Sequence, residues 1–197
     1  MKKILAEIVS LLFHPVLFFL IMPFIVVYKK TEDGMYALKW EMFSIVFIFA
    51  VFAYFLWERK KGIISDFDIS KREERKKFYI FLLFLTCLYL LVPLLYKGLV
   101  FPMTIIAFGI IFGIAIFATV NYFVKASVHM AIACAYVITI TSFYGLYGFL
   151  FSFFIIPLIA WSRLLLKRHT VKEIIIGGFL GSMVTLCTFW FAVAVNV

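Results

Sequence analysis

The sequence predicts an all-α integral membrane protein, a bundle of about six to seven transmembrane helices with a polar face at one membrane surface. Hydrophobic residues make up 66% of the 197 positions and charged residues 15%, whereas soluble domains are about 45–50% apolar. The long apolar runs lack the polar/apolar alternation of a barrel strand, so helices are expected. At roughly 20 residues per span, the length suits one membrane-embedded domain over residues 1–197.

Seven apolar runs follow one another, separated by polar segments. The first is long, contains Pro15 and Pro23, and lacks a small-residue cleavage site before Tyr28. We therefore interpret it as a retained span rather than a signal peptide. Gly145 and Gly148 predict a tight turn before the sixth run. The runs cover 8–28, 42–57, 78–96, 100–123, 127–144, a sixth stretch after that turn that ends at 161, and 171–195.

Two features of the runs concern packing. Glycines four residues apart, at 109 and 113 and at 177 and 181, predict close helix–helix contact. The cysteines stand singly in apolar runs, which predicts buried thiols and neither a disulfide framework nor a metal site. They are Cys87, Cys134 and Cys187.

The basic residues predict the orientation of the chain. If all seven runs span, the amino terminus, the 58–77 segment, Lys125 and the 162–172 segment share one side of the membrane. That side holds fifteen of the nineteen Lys and Arg residues, and the other side holds the remainder, Lys29, Lys30, Lys39 and Lys97. Positive charge favours the cytoplasm, so we expect the polar face on the cytoplasmic side of the cell (inner) membrane. Because the charges adjoin apolar spans, we expect membrane lipids or a phosphorylated substrate as partners, and no nucleic acid.

Two histidines open apolar runs on that same face. His129 follows Lys125 and Ser127, and His169 ends the segment that begins at Ser162 and Arg163. Glu173 comes one helical turn after His169. The third histidine, His14, has no polar neighbour nearby in the sequence and is interpreted as a packing or hydrogen-bonding residue.

The pattern Ser162-Arg163, five residues, His169, three residues, Glu173 resembles the third signature of the type 2 phosphatidic acid phosphatase family, which shares its core with the vanadium haloperoxidases. That family has aspartate where this chain has Glu173. Residues 126–129, Ala-Ser-Val-His, are similar to the second signature, Pro-Ser-Gly-His, without its proline and glycine. The first signature is lysine, six residues, arginine and proline. Residues 66–75 resemble an acidic-and-arginine variant of it, with Asp68 at the lysine position and no proline after Arg75. The resemblance covers about residues 58–180, within a motif-bearing core of about 58–195.

The resemblance implies metal-independent hydrolysis of a lipid phosphate, with no cofactor. His169 would be the nucleophile and carry a phosphohistidine, Glu173 would fix its tautomer, and His129 would protonate the leaving oxygen. Basic side chains would bind the phosphate, assisted by hydroxyls and by N–H groups at a helix start. The phosphate-binding candidates are Arg163, Arg75, Arg72, Lys71, Lys125, Ser127 and Ser162.

Each residue also has a simpler interpretation. Thr170 to Glu173 reads as a capping box, Ser127 as a plain helix cap, and the basic run at 71–77 as a solvated juxtamembrane segment. Two other functions fit the same pattern. One is a phosphohead-group transferase with the same histidine chemistry, and the other is a small transporter or assembly protein whose polar face only sets topology. The near absence of ionisable residues inside the runs argues against an ion pathway.

Overall fold

The computed structural model describes residues 2–69, 71–99 and 101–195, and within these ranges all regular secondary structure is helical. This confirms the all-α prediction. The eight helices are α1 (Lys2–Leu12), α2 (Pro15–Thr31), α3 (Gly34–Lys60), α4 (Arg75–Lys97), α5 (Pro102–Val120), α6 (Val128–Ser152), α7 (Ile155–Leu165) and α8 (Val171–Ala194).

Six helical stretches in the described part of the chain are long and apolar enough to cross a membrane, and α7 is a shorter apolar helix. The six-to-seven estimate therefore agrees with the structure. The tight turn predicted at Gly145 is present as a break inside α6, with φ 59° and ψ −142°, a conformation that glycine adopts readily. Gly148 approaches the carbonyl of Ile140, about 12 Å away in a continuous helix. The chain therefore folds back at Gly145 and returns through α7.

The first predicted span, 8–28, is divided in the structure. The helix breaks at His14, whose extended backbone caps α2, and Pro15 occupies the first position of that helix. α1 instead packs on α7, where the Ser162 hydroxyl donates to the carbonyl of Ala6 (2.8 Å). Proline after a capping residue explains the break, because proline starts helices but lacks the N–H needed to continue one. The break places His14 at the end of the bundle that carries the polar segments.

Glycines allow α8 to lie directly against α6, as the sequence predicted. A Cβ at Gly177 would meet the backbone of Ser127, and one at Gly181 would meet the backbone of Ala131. Backbone contact of this kind joins the start of α8 to the start of α6. Between α5 and α8, Gly109 instead makes room for the side chain of Thr188.

The prediction of buried thiols is wrong for two of the three cysteines. Cys87 and Cys187 are exposed on the surface of the bundle, and Cys134 is intermediate. In a membrane protein an exposed apolar helix face contacts lipid rather than water. An apolar run in the sequence therefore does not show whether a cysteine is buried in the bundle or faces lipid.

Candidate active site

Three polar segments meet at one end of the bundle: the α3–α4 connection, the start of α6, and the α7–α8 connection. The N–H of Ser127 donates to the carbonyl of Glu173 (3.1 Å). Lys125 Nζ donates to the carbonyl of Arg168 (2.8 Å), and Arg75 donates to the carbonyl of Ala126 (3.0 Å). The segments that carry the three sequence patterns are thus hydrogen-bonded to one another.

His169 and Glu173 form the best-defined pair of this site. His169 Nδ1 lies 3.0 Å from Glu173 Oε2, and the His169 side chain is 3% exposed. The same Oε2 accepts from the N–H of Thr170 (3.0 Å), while the Thr170 hydroxyl accepts from the N–H of Glu173, so a complete capping box begins α8. Glu173 therefore makes both of the contacts that the sequence left as alternatives.

The environment of His169 favours its neutral form. Burial lowers the pKa of the imidazole to about 4, and the positive charges of Arg163, Arg75 and Lys125 act in the same direction, while the hydrogen bond that His169 donates to Glu173 opposes them. A neutral imidazole that donates from Nδ1 to Glu173 carries its lone pair on Nε2. That is the protonation state a nitrogen nucleophile requires.

Arg163 is the most deeply buried charged residue described, at 1% exposure. One terminal nitrogen lies 3.0 Å from Asp68 Oδ2, and the other donates to the Ser10 hydroxyl (2.7 Å). Its Nε has no hydrogen-bond partner. A buried guanidinium with an unsatisfied donor is a group that an additional acceptor would stabilise.

Asp68 lies at the centre of the cluster, and the sequence had given it no role. Besides Arg163, its carboxylate contacts Arg168 Nε (3.5 Å) and faces His129 Nε2 (3.7 Å). His129 Nε2 is buried without a hydrogen-bond partner. Asp66 extends the cluster through Arg168, at 3.6 Å. The pairing could not be read from the sequence, because it depends on how the α3–α4 connection folds over α6 and α7.

Four predicted phosphate-binding residues make hydrogen bonds that hold the site together. Arg75 donates through Nε to the carbonyl of Ile69 (2.9 Å) as well as to Ala126. Ser127 is the N-cap of α6 and accepts from the N–H of Met130 (3.4 Å). Lys125 and Ser162 donate to the carbonyls of Arg168 and Ala6, as described above. Both the capping role of Ser127 and its position in the site are therefore present.

The other two phosphate-binding candidates lie outside the cluster. Arg72 donates to the carbonyl of Tyr122 (3.1 Å) and its side chain is 44% exposed. Lys71 pairs with Glu74 (3.3 Å) and is 65% exposed. Arg168, which the sequence-based set omitted, takes their place beside Asp68. In the sequence, only the position of Arg168 next to His169 indicated that it belongs to the site.

His14 joins the cluster because the chain breaks between α1 and α2. Its ring meets that of His129 edge to face, with centroids 5.2 Å apart. Ligand atoms of His14, Asp68 and His129 lie within 4.8 Å of one another, a set that could in principle bind a metal ion. However, His14 Nδ1 accepts from the N–H of Val16, and two arginines share the Asp68 carboxylate. The positive charges of these two arginines disfavour the binding of a metal cation beside them.

Comparisons with family models, curated proteins and solved structures give no match for this chain. The chemical interpretation of the site therefore depends on its own residues.

Proposed function

We propose that this protein is an integral membrane phosphatase that hydrolyses a lipid phosphate, either a monoester or a diphosphate of a phospholipid or prenyl lipid. The observation that carries the proposal is the buried, neutral His169, held through Nδ1 by Glu173 and surrounded by Arg163, Arg75 and Lys125. A nucleophile, an orienting carboxylate and positive charge are what phosphoryl transfer through a nitrogen requires. The resemblance to the type 2 phosphatidic acid phosphatase family supports the same chemistry.

The reaction proceeds in two balanced steps. His169 Nε2 attacks phosphorus, and the P–N bond forms as the bond between phosphorus and the lipid oxygen breaks. His129, which enters this step as the imidazolium while the bound phosphate offsets its charge, gives its proton to that oxygen, which leaves as the alcohol of a monoester or the monophosphate of a diphosphate. Water then attacks the phosphorus of the phosphohistidine and loses a proton to His129 as the P–N bond breaks, which releases inorganic phosphate and restores both residues.

The surroundings of the site favour a lipid substrate. A cavity of about 130 Å³ between α4 and α5 is lined by apolar side chains below and by Lys76 and Asn121 at its polar end. Tyr79 lines this cavity and contacts Arg75. The cavity is thus an apolar recess next to Arg75 with room for part of a hydrocarbon chain, and the rest of the chain would lie in the surrounding lipid.

Purified protein is expected to release inorganic phosphate from short-chain lipid phosphates in the presence of a chelator, and vanadate is expected to block the release. His169→Ala should abolish the activity, because the nucleophile is lost, while circular dichroism and the melting temperature show that the variant is folded. Unchanged activity in this variant would exclude the proposal. Release only when an acceptor alcohol is withheld would indicate a transferase, and no turnover would favour a transporter or assembly protein.

The pH profile provides a second test. Because the pKa of His169 is lowered to about 4, the nucleophile stays neutral above that pH and is lost by protonation below it. We expect kcat/KM to fall on the acidic side near pH 4. A histidine with an ordinary pKa would place this fall at about pH 6.5. An acidic limb at the ordinary position would mean that His169 is not held neutral.

A further inference from the structure

The carboxylate of Asp68 occupies the centre of the cationic cluster. Oδ2 lies 3.0 Å from a terminal nitrogen of Arg163 and 3.5 Å from Arg168 Nε, while Oδ1 faces His129 Nε2 at 3.7 Å. These three side chains come from α7, from the α7–α8 connection and from the start of α6. A single carboxylate thus faces polar groups from three separate elements, two guanidinium charges and one imidazole.

The cluster has more donors than this carboxylate satisfies. Arg163 Nε–H is buried without a hydrogen-bond partner, and so is His129 Nε2, which donates when it carries the proton. A carboxylate offers two oxygens, whereas a phosphoryl group offers three or four arranged tetrahedrally. Unsatisfied donors around a short planar anion are therefore the pattern expected where a larger tetrahedral anion binds.

The segment that carries Asp68 is fixed on both sides. Ile64 and Ile69 are buried against Phe55, and the carbonyl of Ile69 accepts from Arg75. Between these anchors, Phe67 is 49% exposed and packs on Phe55, and Ser65 is hydrogen-bonded to the Glu74 carboxylate. A shift of residues 65–68 that withdraws the Asp68 carboxylate breaks these contacts but leaves the anchors and the helices in place.

We propose that Asp68 is an internal ligand of the cationic site, which holds the position of a phosphoryl group and must be displaced when a phosphate binds. The proposal rests on the function proposed above, since it names the ligand that replaces Asp68. It makes Asp68 a determinant of specificity, because only an anion that satisfies more donors than the carboxylate can compete with it. Anions that accept hydrogen bonds only weakly would not displace Asp68 from the cationic site.

The test measures binding of inorganic phosphate to the purified full-length chain by calorimetry and by the shift in melting temperature. Asp68→Asn removes the charge and keeps the shape, so we expect phosphate to bind about tenfold or more tightly than to the wild type. Glu73→Gln is the matched control. Glu73 lies in the same connection and is 78% exposed, and its ion pair is with Arg72, which lies outside the cluster. Its affinity for phosphate should equal that of the wild type.

Several results would overturn the proposal. Equal gains in both variants would show a general charge effect, a weaker affinity in Asp68→Asn would make Asp68 part of the binding site itself, and no phosphate binding to Asp68→Asn would mean that no anion site is uncovered. The outcome is separate from hydrolysis. If Asp68→Asn binds phosphate more tightly but the protein hydrolyses no lipid phosphate, the internal ligand is supported and the phosphatase is contradicted. If the protein hydrolyses lipid phosphates but Asp68→Asn binds phosphate as the wild type does, the phosphatase is supported and the internal ligand is contradicted.

If Asp68→Asn does not fold, amide hydrogen exchange on the wild type replaces it. Saturating phosphate should accelerate exchange at residues 65–68, relative to chloride at equal ionic strength, because the displaced segment loses its contacts. Unchanged or slower exchange in that segment would overturn the proposal.

Discussion

At the scale of single residues, Glu173 shows how one oxygen serves two structures. Its Oε2 accepts from the N–H of Thr170, which completes the capping box of α8, and it contacts His169 Nδ1. The helix start and the candidate nucleophile are therefore oriented by the same carboxylate. Because the cap fixes the position of Oε2, it also fixes the ring of His169.

Substitution of Glu173 can separate these two tasks. Glutamine also completes a capping box, so Glu173→Gln should melt close to the wild type while losing about 10²–10⁴-fold in hydrolysis, since the imidazole loses the carboxylate that orients it. Glu173→Ala loses both contacts and should also lose about 0.5–2 kcal/mol of stability. The measurements are melting curves and phosphate release. If both variants hydrolyse like the wild type, Glu173 is only a cap.

At the scale of helices, the contact of α6 with α8 sets the geometry of the site. His129 lies in the first turn of α6, and His169 directly precedes α8. The backbone of Gly177 lies against that of Ser127, and the Ser127 N–H bonds to the carbonyl of Glu173. The separation of the two histidines therefore depends on the absence of a side chain at Gly177.

Gly177→Ala should push α8 away from α6. The added methyl group would meet the Ser127 backbone, which cannot rotate aside, so we expect a loss of about 1–3 kcal/mol despite the gain of about 1 kcal/mol in helix propensity. Gly178→Ala is the control, because its methyl group would meet the flexible side chains of Met130 (3.2 Å) and Cys134 (3.4 Å). Thermal unfolding in detergent compares the two variants. Equal stability would show that α6 and α8 can separate freely.

At the scale of the whole molecule, the sequence predicted most of the helices and about half of the cluster. Composition and run length identified the spanning helices, because the bilayer imposes both. The capping patterns at Ser127 and Thr170 located the starts of α6 and α8, because caps act within a few residues. The patterns at 126–129 and 162–173 indicated His129, Arg163, His169 and Glu173, all of which lie in this part of the structure.

Other members of the cluster depend on contacts that are distant in the chain. His14 reaches His129 only because the helix breaks before Pro15. Asp68 pairs with Arg163 across 95 positions, and an acidic residue in a basic connection reads locally as a solvated charge. The exposure of Cys87 and Cys187 was missed because nearly uniform apolar runs do not distinguish a lipid-facing surface from a packed one.

The orientation of the molecule in the membrane is predicted from the distribution of basic residues over the whole chain. Lys61 is exposed at the end of α3 nearest the cluster, whereas Lys30 is exposed at the end of α2 that lies away from His14. With the three native cysteines replaced by serine, Lys61→Cys should resist a membrane-impermeant thiol reagent applied to intact cells, and Lys30→Cys should react. Permeabilised cells should label at both positions, which controls for accessibility. The reversed pattern would place the basic cluster outside the cell, and a phosphatase in that orientation would act on lipid headgroups of the outer leaflet.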